Sequence, residues 1–323
     1  MHIPDGFLDG KTCVAAGVLA AGGLGYALHH LRKALPGRKV PLLGLSAAFV
    51  FAAQMINFPV MGGTSGHLLG GTLAAVLLGP AAAVVVMAAV LIVQCLGFAD
   101  GGITALGANI FNMGIVGGAL AGVIYNLLAR SSQDLRWRIF AAIIAAWASV
   151  FLAAVATAGE LACSGTVSWG TAFPAMAGVH ALIGIGEGVI TALVLTAIAS
   201  VRRELVVPTE SGGPRQSLKP VIVLGALAAV GIAVFISPFA SPWPDGLERV
   251  AANLGFEERA AKQPVLSAPA GDYVMPGLGS GAVATSVAGA AGTLVVLGGA
   301  WLLARALVPR KRTGAAAADP GSR

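Results

Sequence analysis

The sequence predicts an all-α, polytopic helical membrane protein, and three observations carry that reading. The 323 residues are 57% hydrophobic and only 11% charged, where soluble domains carry about 25% charged residues. Mean hydropathy is +0.85, which leaves too little polar surface to clothe a water-soluble globule. Apolar runs of roughly 20 residues, the length a helix needs to cross a bilayer, recur along the chain between clusters of Lys and Arg. The same composition excludes a disordered chain, and three cysteines cannot staple a secreted scaffold of this length. The net charge of +6 is therefore read as Lys and Arg orienting the chain in a bilayer, not as a nucleic-acid footprint.

Taken in order, the candidate spans are 12–31, 40–58, 68–96, 104–128, 139–161, 173–200, 221–236 and 282–307. The third is too long for one ordinary helix and contains Gly79-Pro80, where proline disfavours helical geometry just before it. Charge decides how to read it. Arg32, Lys33, Arg38 and Lys39 follow the first span, and Arg130, Arg136 and Arg138 follow 104–128. If both clusters are cytoplasmic, an even number of spans must separate them, so 68–96 is two short helices hinged at Gly79-Pro80. Nine spans result, with the N-terminus outside and the C-terminus inside. Arg202, Arg203, Arg215, Lys219, Arg310, Lys311 and Arg312 then also lie inside, and Lys11, Arg249, Arg259 and Lys262 are the exceptions.

The spans fall into modules. Residues 1–203 form a seven-span unit; 204–219, with Pro, Gly and Ser and no periodicity, read as a cytoplasmic linker. Residues 220–312 are two spans flanking an outer loop, 237–279, and 313–323 are a cytoplasmic tail. Within the loop, PDGLERVAANLGFEERAAK reads as a short amphipathic helix with Asp245 at its N-cap. The start of the chain lacks a basic region and carries Asp5 and Asp9, so it is not read as a signal peptide.

The sequence opens Met1-His2-Ile3-Pro4-Asp5. A histidine at position 2 lets the α-amine, the His2 amide and the His2 imidazole chelate one metal ion through a five- and a six-membered ring. A fourth nitrogen completes the planar set that favours Ni(II) or Cu(II). Read alone, the segment is equally a frayed terminus with an incidental histidine. His67 alters that balance, because it begins a span just after the Gly-rich outer loop 59–66, on the same side as Met1. Ionisable groups at such positions are functional candidates, although a histidine solvated at the interface is the plainer alternative.

MHIPDGFLD, FAAQMINFPVMGGTSGHLLGG and HALIGIGEGVITALV resemble the substrate-binding component of nickel/cobalt transporters of the energy-coupling-factor ABC class. The resemblance covers residues 1 to about 203, and it implies metal ligation by Met1, His2 and His67. It further implies Ni²⁺ or Co²⁺ as the transported ion and no resident cofactor; the planar four-nitrogen set argues for Ni²⁺, with Co²⁺ uptake for cobalamin synthesis as the alternative. Implied partners are a transmembrane coupling subunit and separate ATP-binding cassette ATPases, in a bacterial cytoplasmic membrane. The tail, with Pro244-Asp245-Gly246-Leu247-Glu248, is similar to a small two-span accessory subunit, of PDGLE type.

Four deprotonatable or neutral nitrogens, one an amide anion, would leave a dication site of net charge +1, which lowers its burial penalty. Ligating histidines need an acceptor on the other ring nitrogen; Asn57, Gln54, Ser65 and Asn109 are candidates. Glu187, mid-span, is expected to bond a neighbouring helix or to lie on an ion path, and His180 either packs or forms a second metal stop. Ala48 and Ala52 make a small-xxx-small pair, which the resemblance assigns to contact with the coupling subunit. Gly6 to Thr12 imitates a P-loop but has one residue too few between its glycines, so the chain is not expected to hydrolyse ATP. Cys13, Cys95 and Cys163 lack metal spacing and read as small packing residues.

A rival reading is a rhomboid-type intramembrane serine protease, with Gly63-Thr64-Ser65-Gly66 as nucleophile motif, His180 as base and Trp137-Arg138 present. Its Trp-Arg pair belongs before the nucleophile span and here comes long after. The rival also leaves Met1-His2 and the appended module without a role.

Overall fold

The computed structural model describes residues 1–207, 217–261, 265–278 and 281–308. Arg215, Lys262, Arg310, Lys311, Arg312, most of the expected linker and the 313–323 tail lie outside the described residues.

Ten helices make the fold among the described residues. The first is α1 (Gly10–Ala34), capped where Asp9 accepts the Thr12 N–H at 2.9 Å, and it stops just short of Pro36. Helix α2 (Val40–Gln54) begins on Pro41, whose missing N–H is no loss in a first turn. It leads into a two-stranded antiparallel hairpin, β1 (Phe58–Val60) and β2 (Thr64–Gly66), with Pro59 opposite Ser65. Helix α3 (Gly71–Leu78) and α4 (Pro80–Phe98) break at Gly79, whose φ of 98° and ψ of 162° are closed to side chains and whose successor cannot donate to a helix. Next come α5 (Leu106–Ala129), α6 (Leu135–Cys163) and α7 (Trp169–Val201). Helix α8 (Lys219–Phe239), a short α9 (Gly246–Leu254) and α10 (Gly281–Leu307) complete the chain.

Seven of these are long and apolar enough to cross a membrane: α1, α4, α5, α6, α7, α8 and α10. Helices α2 and α3, with 15 and 8 residues, fall short. The expected split of 68–96 at Gly79-Pro80 is found, and what needs correcting are the bounds: α2 ends at Gln54, not 58, and α3 begins at Gly71, not 68. Residues 55–70 are not helical; they form the hairpin and an extended segment, and His67 precedes α3 instead of opening it. This stretch is the only β-structure among the described residues.

Small residues let the helices close up. Gly71 of α3 meets α5 at Gly117 and Gly118, where an added Cβ would stand 2.7 Å from the Gly117 carbonyl oxygen. Helices α6 and α7 share the most extensive contact, with Gly184 against Trp147 and Gly188 against Ile143. Helix α10 packs along α2, with Gly289 against Met55, Gly292 against Phe51, and Leu297 and Trp301 against Gly44. This packing buries Ala48 and Ala52 inside the chain, at 1% and 0% exposure. Contrary to expectation, that pair is not a free face for a partner subunit.

The basic clusters share one end of the bundle. Lys39 Nζ donates to the Leu77 carbonyl just before the Gly79 break, and one cavity is lined by Arg32, Val40, Trp301 and Arg305 together. Arg138 reaches Tyr125 Oη and the Val206 carbonyl at the same end. The opposite end gathers the first nine residues, the hairpin and the α8–α10 loop, where Arg259 donates to the Gly165 carbonyl.

Candidate metal centre

The first nine residues turn inward instead of fraying. Ile3 is fully buried and is clamped twice by Asn109 of α5, whose Oδ1 accepts the Ile3 N–H at 2.8 Å and whose Nδ2 donates to the Ile3 carbonyl at 3.1 Å. The Asp5 carboxylate accepts from the Thr104 N–H and hydroxyl, and the Gly102 N–H bonds the Ile3 carbonyl. On the other side Phe7 stacks edge-on against Phe256, and the Ala261 N–H bonds the Asp5 carbonyl. Gly6, at φ 96°, lies so close to Arg259 that an added Cβ would sit 2.3 Å from its carbonyl oxygen. The segment is thus held between the bundle and the loop that follows α8.

These clamps bring the α-amine of Met1 to 2.9 Å from His67 Nε2. Two nitrogens each about 2.0 Å from one ion at right angles stand about 2.8 Å apart, so this pair has the spacing of adjacent ligands. His67 Nδ1 faces the Leu68 carbonyl at 3.3 Å, which leaves Nε2 as the lone pair. The His2 ring stacks on His67 with centroids 5.3 Å apart and 17° between planes. His2 Nδ1 faces Asp100 Oδ1 at 3.0 Å and Nε2 faces Gln94 Oε1 at 3.2 Å. A chelate through the His2 amide uses Nδ1, so that nitrogen must leave Asp100 before a full planar set forms. Burial lowers the His2 pKa from its ordinary value, with the Asp100 carboxylate pulling the other way; a neutral ring is what a metal needs. Among the described residues no three His, Cys, Asp or Glu side chains gather to hold a metal, and the assembled nitrogens are two imidazoles beside main-chain groups.

The four polar candidates bracket this site without bonding the imidazoles. Gln54 donates to the Leu69 carbonyl and accepts from Gln94, so it reaches His2 through Gln94. Asn109 holds Ile3. Ser65 Oγ donates to the Trp243 carbonyl at 2.8 Å, and Asn57 accepts the Ser241 N–H on its own carbonyl. Sequence reasoning missed Gln94 and Asp100; a glutamine inside the apolar run 80–98 was the available signal. Glu187 accepts the N–H groups of Leu69 and Gly70 at 2.6 and 2.9 Å, and so fixes the extended segment that carries His67.

The C-terminal module also enters the site. Asp245 caps α9 in a capping box with Glu248, as its sequence suggested, and its other oxygen bonds the Met1 amine. Burial alone would raise the Asp245 pKa, but the Met1 amine and His67 outweigh it and hold the carboxyl well below its ordinary range. Pro244 and Trp243 carbonyls accept from Thr64 and Ser65 of β2, and Tyr273 donates to Asp100 at 2.6 Å. Helix α9 is shorter than expected, ending at Gly255 in the left-handed region.

The protease rival finds no dyad: Ser65 bonds Trp243, and His180 Nδ1 bonds the Met176 carbonyl of its own helix at 2.8 Å. Trp137 donates to Leu128 at the far, basic end. The three cysteines are free; Cys95 is buried as expected, Cys13 is half-buried and Cys163 is exposed.

Comparison with known proteins places this geometry. A putative fused nickel transport protein NikMN of Archaeoglobus fulgidus is 39% identical over 94% of this chain and 98% of its own. The fused nickel transport protein NikMN of Rhodobacter capsulatus is 34% identical over 71% of each chain. A crystal structure of a transition metal transporter superposes with a TM-score of 0.57 at 34% identity, covering 63% of this chain and 95% of the other. The PDGLE domain matches residues 219–309. Residues 2–205 match the family described as the cobalt uptake substrate-specific transmembrane region, and the chain belongs to that family.

Proposed function

We propose that this chain is the cation-capturing subunit of an importer that takes Ni²⁺, or alternatively Co²⁺, from the outer face of the cytoplasmic membrane. The observation that carries the reading is the Met1 amine held 2.9 Å from His67 Nε2 beneath the stacked His2 ring. Met1 supplies the amine, His2 its amide and imidazole, and His67 the fourth nitrogen. Planar four-nitrogen coordination favours nickel. The relatives' names, nickel and cobalt transport proteins alike, agree with both ions. The basic end of the bundle faces the cytoplasm, so both termini keep their assigned sides: the N-terminus outside, the C-terminus within. The chain is a transport subunit and not an enzyme; a transmembrane coupling subunit and ATPases, all separate chains, reorient it for release. The 237–279 loop assists loading, since Asp245 already touches the first ligand.

Nickel binding to the purified full chain, compared with a chain extended by one residue before Met1, tests this. Extension removes the free amine and the two-ring chelate, so affinity falls by at least about 100-fold. Unchanged affinity in the extended chain overturns the proposal, and titration with Co²⁺ in the same assay ranks the two ions.

A further inference from the structure

His180 Nε2 is a buried nitrogen that nothing in the planar set uses. The residue is 1% exposed, and Nε2 has no hydrogen-bond partner among the described residues. Its other nitrogen is committed, because Nδ1 lies 2.8 Å from the Met176 carbonyl and must donate to it. Nε2 therefore carries a lone pair, in the arrangement a metal-ligating histidine takes when a backbone carbonyl orients it. A buried polar atom without a partner is costly, so an idle lone pair in an apolar helix calls for an explanation.

What faces it supplies one. His180, Met1, His67, Asp245 and Gly246 line one small cavity of about 10 Å³, room for a single water or ion. Gly246 is pressed against the ring, and an added Cβ there would stand 2.7 Å from both Cε1 and Nε2. The residue beside that glycine is Asp245, whose carboxylate now holds a cation, the Met1 ammonium. An imidazole lone pair and a carboxylate, brought together from α7 and the PDGLE loop around an ion-sized space, are a donor pair suited to a divalent transition metal.

We propose that His180 Nε2 and the Asp245 carboxylate form a second, weaker divalent-cation position beside the planar nitrogens, through which the ion passes when it is loaded. The inference rests on the capture function proposed above and extends it to the route. A dication that has shed its hydration water on the side facing the cavity meets His180 and Asp245 first. It moves on to the amine as Met1 releases its proton to water, and Asp245 is left free of the ammonium.

The test uses the full chain with the planar set disabled by a His2→Gln/His67→Gln double variant, titrated calorimetrically with Ni²⁺ or Co²⁺ alone. One residual site is expected, weakened about tenfold or more by adding His180→Gln and likewise by adding Asp245→Asn. No residual site, or one indifferent to His180→Gln, overturns the inference. In the otherwise unaltered chain, His180→Gln is expected to leave the equilibrium Ni²⁺ affinity within about threefold while slowing stopped-flow loading about tenfold; an unchanged loading rate overturns it. His180→Asn, checked for an unaltered unfolding temperature, guards against a folding defect. If instead the His2/His67 double variant binds as tightly as the native chain, the capture function itself fails, whatever His180 does.

Discussion

The Met1 amine is bonded to Asp245, 244 residues further along the chain, while it also lies 2.9 Å from His67 Nε2. The appended module therefore covers the Met1 amine, beside the other proposed nitrogen ligands. Buried ion pairs hold when their members are hydrogen-bonded as well as paired, and Asp245 also accepts from the Leu247 and Glu248 N–H groups.

Gly246→Ala tests how tightly that cover sits. The new Cβ would press on the His180 ring and on Ile183, both on α7, so the loop has to lift away. Hydrogen exchange across 243–255 is expected to rise, and an amine-reactive label should modify Met1 faster than in the native chain.

Asn109→Ala removes both bonds to Ile3 without touching a nitrogen of the proposed set. The buried Ile3 N–H loses its partner, at about 1–3 kcal/mol, while the Ile3 carbonyl keeps only the Gly102 N–H, and the N-terminal segment regains mobility. Nickel affinity is expected to fall by about tenfold or more, read by calorimetry, with little change in the bundle's circular dichroism.

Glu187→Gln leaves one acceptor for two N–H groups and turns an NH₂ toward one of them. The extended segment before α3 should shift and carry His67 with it. A lower unfolding temperature together with weaker Ni²⁺ binding is expected; Glu187→Ala should lower both further.

Binding should tighten as pH rises. The amine and the His2 amide each bind the ion only after losing a proton, so metal uptake releases up to about two protons and mass action favours it at low proton concentration. Nickel affinity measured from about pH 6 to 8.5 is expected to rise throughout, and protons counted in weak buffer should match the slope.

Much of the bundle was legible because charge and proline act locally. Gly79-Pro80 breaks the long apolar run where the basic clusters require a turn, and that turn lies beside Lys39. Asp245 was legible as an N-cap because capping depends on neighbours in sequence. The bond of Asp245 to Met1 was not, since nothing local links the two modules. Asp100 and Gln94 escaped notice for the same reason: each meets His2 only through the tertiary fold. The hairpin at 58–66 was legible only as a Gly-rich outer loop, 59–66, because two three-residue strands carry too little alternation to be read as β-structure. Ala48 and Ala52 looked available because the sequence does not say that α10 already lies along them.

The pairing of Met1 with Asp245 also orders events during synthesis. Residues 1–9 are made well before their cover, from Trp243 to Tyr273. For most of translation the N-terminal strap can seat on Asn109 and Thr104 but stays unroofed. A ribosome stalled before residue 245 would hold an open, amine-exposed intermediate, and completing the chain closes it by a contact of very long sequence separation, the kind that forms slowly. The maturation of this subunit is then a closing of the chain's end over its beginning.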